Sequence, residues 1–233
     1  MPEPNEPYYD CNNDENGTAY MGPCGCMGGN TGVWDCEVEL EIKDSLDSFP
    51  CAKNLIDPLF NLKNNIAQLL NDQFDDPDID YEIYFRANDL GESIDGLWNN
   101  NNMSGTAHTI TLNSNMLSTA SKEYILVTMY HEALHAYVYS LKQSLGNQFP
   151  ILYPEISEYW INGTPKYSGT HADLGGFIDD LADAIQSFNP GISNYDAQVL
   201  AKAGIINPNN ISNFDKNINK SYRDGVSGTD CSN

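Results

Sequence analysis

Positive charge is scarce in this sequence. Lys and Arg total 11 against 33 Asp and Glu, a net charge of −22. A field of that sign repels phosphate backbones and anionic headgroups, so nucleic acid and membrane surfaces are poor candidate partners. Long apolar runs are missing as well. The most apolar stretch, Tyr124 to Leu141, is broken by His131, Glu132 and His135. It therefore reads as a helix buried in a packed domain and not as a membrane insertion. No basic-then-apolar leader opens the chain. The start, MPEPNEPYYD, reads as a junction within a longer protein and says nothing against export. Histidine is sparse, at four in 233 residues, and two of the four stand one helical turn apart.

What is present divides the chain into three. Residues 1–36 are poor in aliphatics and hold Cys11, Cys24, Cys26 and Cys36, with Cys51 and Cys231 further on. An even number of cysteines, concentrated where there is little core, predicts disulfide staples and an oxidising, extracytoplasmic setting, either secreted or on a cell surface. The competing reading, a small zinc site, wants two CxxC-type pairs, and this segment has a single CxC. Asp10, Asn12, Asp14 and Asn16 alternate as Ca²⁺ ligands could, although Glu15 stands where an EF-hand loop needs glycine. The acidity has two readings, solubility and Ca²⁺ binding. Residues 37–205 read as the main domain and 206–233 as a polar tail lying over its surface, tied down by Cys231.

Within the main domain, periodicity predicts an α+β fold with a small mixed or antiparallel sheet. VELEI, YEIYFR (81–86) and TAHTITLN (106–113) alternate as strands, and a Gly/Asn-rich loop is expected between them from Asn88 to Gly105. The run from Phe49 to Phe74 has helical spacing through Leu55, Leu59, Leu62, Ile66 and Leu70. Residues 120–143 form the strongest predicted helix. Residues 147–169, with Pro150, Pro154, Gly163, Pro165 and Gly169, read as loop, and a further helix is expected over 171–188.

The strongest helix carries HEALH, residues 131–135. At 3.6 residues per turn, His135 lies about 40° round from His131 and one turn on, so both imidazoles can reach one Zn²⁺. Glu132 lies about 100° from His131, near enough to act on water without binding the metal itself. Zinc lowers the pKa of water and polarises a carbonyl, and a neighbouring carboxylate can move the proton to a leaving amine. Two histidines and a glutamate on an apolar helix are costly to bury without such a purpose. Catalytic zinc sites keep three protein ligands. His171, 36 residues after His135, is the first choice for the third. Asp173, Glu155 and Glu158 are the alternatives, although Thr170 and Asp173 fit a capping box that gives Asp173 a structural role. His108 reads as a packed or exposed strand histidine. Its strand is a candidate to pair with extended substrate. Tyr153, Tyr159 and Tyr167 are candidates to donate to a developing oxyanion.

HEALHAYVYS followed by a helix beginning HADLGGF resembles the zincin metallopeptidases, and within them the SprT-like group, over residues 80–188. The resemblance implies a zincin-like fold, His131, His135 and His171 as zinc ligands, Glu132 as catalytic acid/base, and protein or peptide substrates. Two features depart from the pattern: Ala172 stands where the SprT-like His is followed by Gly, and the chain lacks basic nucleic-acid-binding parts. The metzincin extension is absent, with Val138 and Leu141 at its positions. The implied setting is a secreted bacterial peptidase domain. A non-catalytic, metal-stabilised module of a surface protein is the alternative.

Overall fold

The computed structural model describes residues 8–22, 25–32, 41–74, 79, 81–101, 106–152, 160–161, 164–165 and 171–231. Glu155, Glu158, Thr170, Cys24, Cys36 and the three candidate tyrosines Tyr153, Tyr159 and Tyr167 lie outside the described residues. In chain order the elements are β1 (Tyr20–Gly22), β2 (Gly25–Met27), β3 (Glu41–Ser45), α1 (Pro50–Lys53), α2 (Ile56–Asn61), α3 (Asn65–Phe74), β4 (Glu82–Asn88), β5 (Gly96–Asn100), β6 (Ala107–Asn113), α4 (Ser114–Leu117), α5 (Lys122–Leu145) and α6 (Phe149–Leu152). They continue with β7 (Trp160–Ile161), β8 (Thr164–Pro165), a 3₁₀ segment (His171–Phe177), α7 (Ile178–Phe188), α8 (Asn194–Lys202) and α9 (Asn213–Arg223). Among the described residues no helix is long and apolar enough to cross a membrane.

A four-stranded sheet with order β3-β4-β6-β5 organises the α+β fold. β3, β4 and β6 run parallel, and β5 returns antiparallel to β6 with Gly96 opposite Leu112 and Trp98 opposite Ile110. Alternation puts Ile83 and Phe85 of β4, and His108, Ile110 and Leu112 of β6, on matching positions, all fully buried. The β6 face bearing these residues packs on α5, whose Ser140 meets His108. α5 is buried on most sides, including Ile125, Leu126, Met129, Tyr130, Ala133 and Leu134, and α3 and α7 close over it. Each such large side chain contributes about 1.5–3 kcal/mol by leaving water. The helix begins at an N-cap, Ser121, whose hydroxyl accepts from the Tyr124 N–H, and ends at Gly146, whose φ of 50° suits glycine.

Four expectations change. The run from Phe49 to Phe74 is three helices, because Leu62 turns extended and Asn64 starts afresh, its side chain accepting from the Ala67 N–H at 2.8 Å. The loop expected from Asn88 to Gly105 contains β5. The helix expected from His171 opens as a 3₁₀ segment, since Gly175 and Gly176 are weak α-formers. The polar C-terminal stretch contains α9, capped by Ser212, which accepts from the Asp215 N–H. Among the described residues Cys11 is bonded to Cys26 and Cys51 to Cys231. In the N-terminal segment Asp10 accepts from the backbone N–H of Asn12, Asp14 and Ala19 at 2.8–3.0 Å. Its oxygens hold the loop closed.

Candidate metal centre

His131 and His135 sit on consecutive turns of α5, and His171 opens the 3₁₀ segment that crosses it. The rings converge. Their centroids are 4.9 Å apart for His131–His135, 5.0 Å for His131–His171 and 4.9 Å for His135–His171. One ring nitrogen from each lies within 4.8 Å of the others, which makes the triad able to hold a metal ion. The Nε2 atoms of His131 and His135 are 3.2 Å apart. A single N–H···N bond also fits that distance, but it gives no reason for a third imidazole to close on the same point.

Burial, then the neighbouring His135 and His171, push the His131 imidazole well below its usual range. Burial, His171 and Lys142 bring His135 down to about 4. Both of these rings, His131 and His135, are held neutral, the form that offers a lone pair. Glu132 is buried beside them. Burial pushes its carboxyl up to about 7, while the backbone N–H of Trp98, donating to it, draws it back.

β5 explains how that carboxylate is reached. Gly96 lies so close to α5 that a Cβ there would stand 2.7 Å from Glu132 Oε1 and 2.9 Å from Thr128 Cγ2. The missing side chain lets the strand sit on the helix. Trp98, two residues on, shows the same side of the strand. Its indole lies parallel to the His135 ring at 6.2 Å and tilted against Tyr139 at 5.2 Å. From the other side Gly204, with φ 77°, lies against His131, its Cβ position 3.3 Å from Cε1. A cleft of about 340 Å³ opens between these walls, lined among others by Gly96, Thr128, His131, Glu132, Leu200 and Asn219. Asn219 Oδ1 is a buried acceptor with no partner among the described residues.

Of the residues singled out from sequence, the structure brings together His131, Glu132, His135 and His171. Asp173 stands apart from the triad. Its carboxylate ion-pairs with Lys142 of α5, which docks the 3₁₀ segment. His108 is fully buried and faces α5 from β6. Its strand pairs on both sides, with β4 and β5, and has no free edge to offer a substrate. β5, beside it, is the terminal strand at this end of the sheet. Gly96, Trp98, Gly204 and Asn219 were invisible as site residues in the sequence. Trp98 sits within a Gly/Asn-rich stretch, and only its bulky aromatic ring among small polar neighbours hinted at a buried role.

Comparison with protein-family models, with curated proteins and with solved structures gave no match. The site is therefore read on its own geometry.

Proposed function

We propose that this chain is a zinc-dependent peptidase in which His131, His135 and His171 hold the metal and Glu132 is the general base. The observation that carries this reading is the convergence of three imidazoles beside a buried glutamate at the wall of an open cleft. Zinc–nitrogen bonds of about 2.05 Å in tetrahedral array separate the nitrogens by about 3.3 Å. The 3.2 Å between the His131 and His135 nitrogens suits that spacing. Bound zinc supplies Lewis acidity towards water and a carbonyl oxygen. Glu132, anchored by the Trp98 N–H, takes the proton of the attacking water and passes it to the leaving amine. A purely structural metal site has no use for that carboxylate.

An extended peptide lies along β5 in this reading, because backbone pairing with a terminal strand gives affinity with little side-chain demand. Leu97, 41% exposed on that strand, offers an apolar contact at the rim. The two disulfides support an exported protein.

The test combines metal analysis with a cleavage screen on unfolded proteins. The expected result is one zinc per chain and hydrolysis that falls about 10²–10⁴-fold in Glu132→Gln with zinc retained. Full activity in that variant overturns the mechanism. Zinc bound without cleavage of any substrate offered makes the centre a stabilising one.

A further inference from the structure

Two residues that bind no metal in this reading, the half-buried Trp98 and the fully buried His108, converge on the centre from behind. Trp98 is the residue where both halves of the site meet β5. Its backbone N–H donates to the Glu132 carboxylate, and its indole face lies 20° from parallel to the His135 ring. One side chain thus abuts a ligand while its own backbone anchors the base. Its position matters to both.

The indole is itself held. Trp98 Nε1–H donates to His108 Nδ1 at 3.2 Å. An indole nitrogen is only a donor, so Nδ1 must carry the lone pair, and in a neutral imidazole the proton then sits on Nε2. His108 Nε2 lies 3.1 Å from Ser140 Oγ, which accepts that proton's hydrogen bond. Ser140 belongs to α5, the helix of HEALH. The chain Trp98–His108–Ser140 therefore ties β5 through β6 to α5 by directed bonds, in a place where apolar packing alone would let the strand slide. Around His108 the rings of Phe74 and Tyr81 close the pocket at 5.8 and 6.5 Å. On the far side of Trp98, the Asn100 amide donates to Tyr139 Oη at 3.1 Å and adds a second tie between β5 and α5.

We propose that Trp98 is the positioning residue of the metal centre and that His108, as its Nε2–H tautomer, is the clamp that fixes the indole against His135. His108 touches neither metal nor substrate and acts through Trp98. The inference rests on the triad being a metal centre. It does not depend on what is cleaved.

The experiment measures zinc affinity by competition with a chromogenic chelator on the full chain, with far-UV circular dichroism to check folding. His108→Phe keeps the ring volume and leaves the indole N–H without its acceptor. It is expected to weaken zinc binding about tenfold, in line with losses seen when groups supporting metal ligands are removed. His108→Asn, whose side-chain oxygen falls near the place of Nδ1, is expected to stay within about threefold of the parent. The double variant His108→Phe/Trp98→Phe is expected to bind zinc no more weakly than His108→Phe alone, because one chain of contacts is broken once. Independent packing roles would make the two losses multiply, and that result overturns the clamp. So does equal zinc affinity in the parent and His108→Phe. Should His108→Phe not fold, Trp98→Phe read alone against the parent decides, with a tenfold loss expected and an unchanged affinity overturning the proposal. A parent protein that binds no zinc overturns the metal centre and the clamp together.

Discussion

Replacing Gly96 by alanine puts the geometry of the site to a direct test. The added methyl would lie 2.7 Å from Glu132 Oε1, 2.8 Å from its Cγ and 2.9 Å from Thr128 Cγ2. Carbon–carbon contacts settle near 3.5–4.0 Å, so β5 and α5 must separate by roughly half an ångström or more, or the Glu132 side chain must move. Overpacking of this kind costs about 1–3 kcal/mol. In a chain of this size each kcal/mol lowers the melting temperature by about 2–4 °C. The same displacement moves the base relative to the triad, and a shift approaching 1 Å costs about 10²-fold in rate. The zinc content should hold, since Gly96 touches none of the histidines. Gly176 is the control: a methyl there meets nothing within 4 Å, and its backbone is not left-handed. Calorimetry, metal analysis and peptide cleavage on the two variants decide the matter. Gly96→Ala with the melting temperature and cleavage rate of the parent would refute the close approach of strand and helix on which the site is built.

Other perturbations follow from the same contacts. Glu123, fully buried, accepts from the Thr229 N–H and hydroxyl and from the Asn189 amide at 2.6–2.7 Å. Burial would raise its carboxyl, but those bonds win and hold it below its ordinary value of 4.5. A depressed carboxyl contributes stability that is present above pH 4.5 and lost as the pH falls through the lowered value. Glu123→Gln sets an amide N–H against donors and is expected to cost about 1–3 kcal/mol at neutral pH; urea titrations should show the gap from the parent closing below pH 4.5. Cys51–Cys231 closes a sequence separation of 180 residues, and its removal by paired serine substitution should cost about 2–5 kcal/mol, read as a lower urea midpoint. Gly204→Val forces a branched side chain to a φ of 77° against His131 and should lower stability by at least about 1–2 kcal/mol and weaken zinc binding, both measurable on one preparation.

How far the sequence could be read depends on the range of the interactions that set each element. HEALH was legible because the period of a helix alone puts His131, Glu132 and His135 together, and Ser121 and Gly146 cap that helix by local chemistry. His171 was legible as a candidate third ligand because the chain has only four histidines and this one stands at the start of a further predicted helix. β5 was hidden. GLWNN has little strand propensity, and it is held by pairing with β6 and by contact with α5 at Gly96, both long-range. His108 was legible as a packed residue but its work was not, since its partners Trp98 and Ser140 are 10 and 32 residues away. That the TAHTITLN strand, the candidate to pair with extended substrate, lacks a free edge was hidden for the same reason. TAHTITLN has the stronger alternation because it is buried between two neighbours, and burial is what denies it a free edge.

The C-terminal segment shows why the site cannot be cut down to its ligand helices. NFDKNINKSYR reads as a polar tail because few of its residues are apolar, yet α9 turns Tyr222 inward, 6% exposed. Its contacts land at the starts of α5, which bears His131, Glu132 and His135, and of β5, which packs against Glu132. Arg223 donates to both oxygens of Asp95 at 2.8 Å, at the entrance to β5. Tyr124 of α5 donates to the same carboxylate at 2.8 Å. The Ser121 and Lys122 N–H groups, which no turn of α5 can satisfy, donate to the carbonyls of Tyr222 and Thr229. Thr229 in turn holds Glu123, and Cys231 fastens the end to α1. The start of the ligand helix and the start of the strand bearing Trp98 are thus joined through Asp95, and the C-terminal segment completes that joint. A chain ending before Ser212 loses the Arg223, Tyr222 and Thr229 contacts and the disulfide to Cys51, while keeping the Tyr124–Asp95 bond together with His131, Glu132, His135 and His171. The spacing between β5 and α5 is then left to the close packing at Gly96, to the Tyr124–Asp95 and Asn100–Tyr139 bonds, and to the Trp98–His108–Ser140 contacts. The frame in which the three histidines and Glu132 converge is therefore completed by a polar segment that contains none of them.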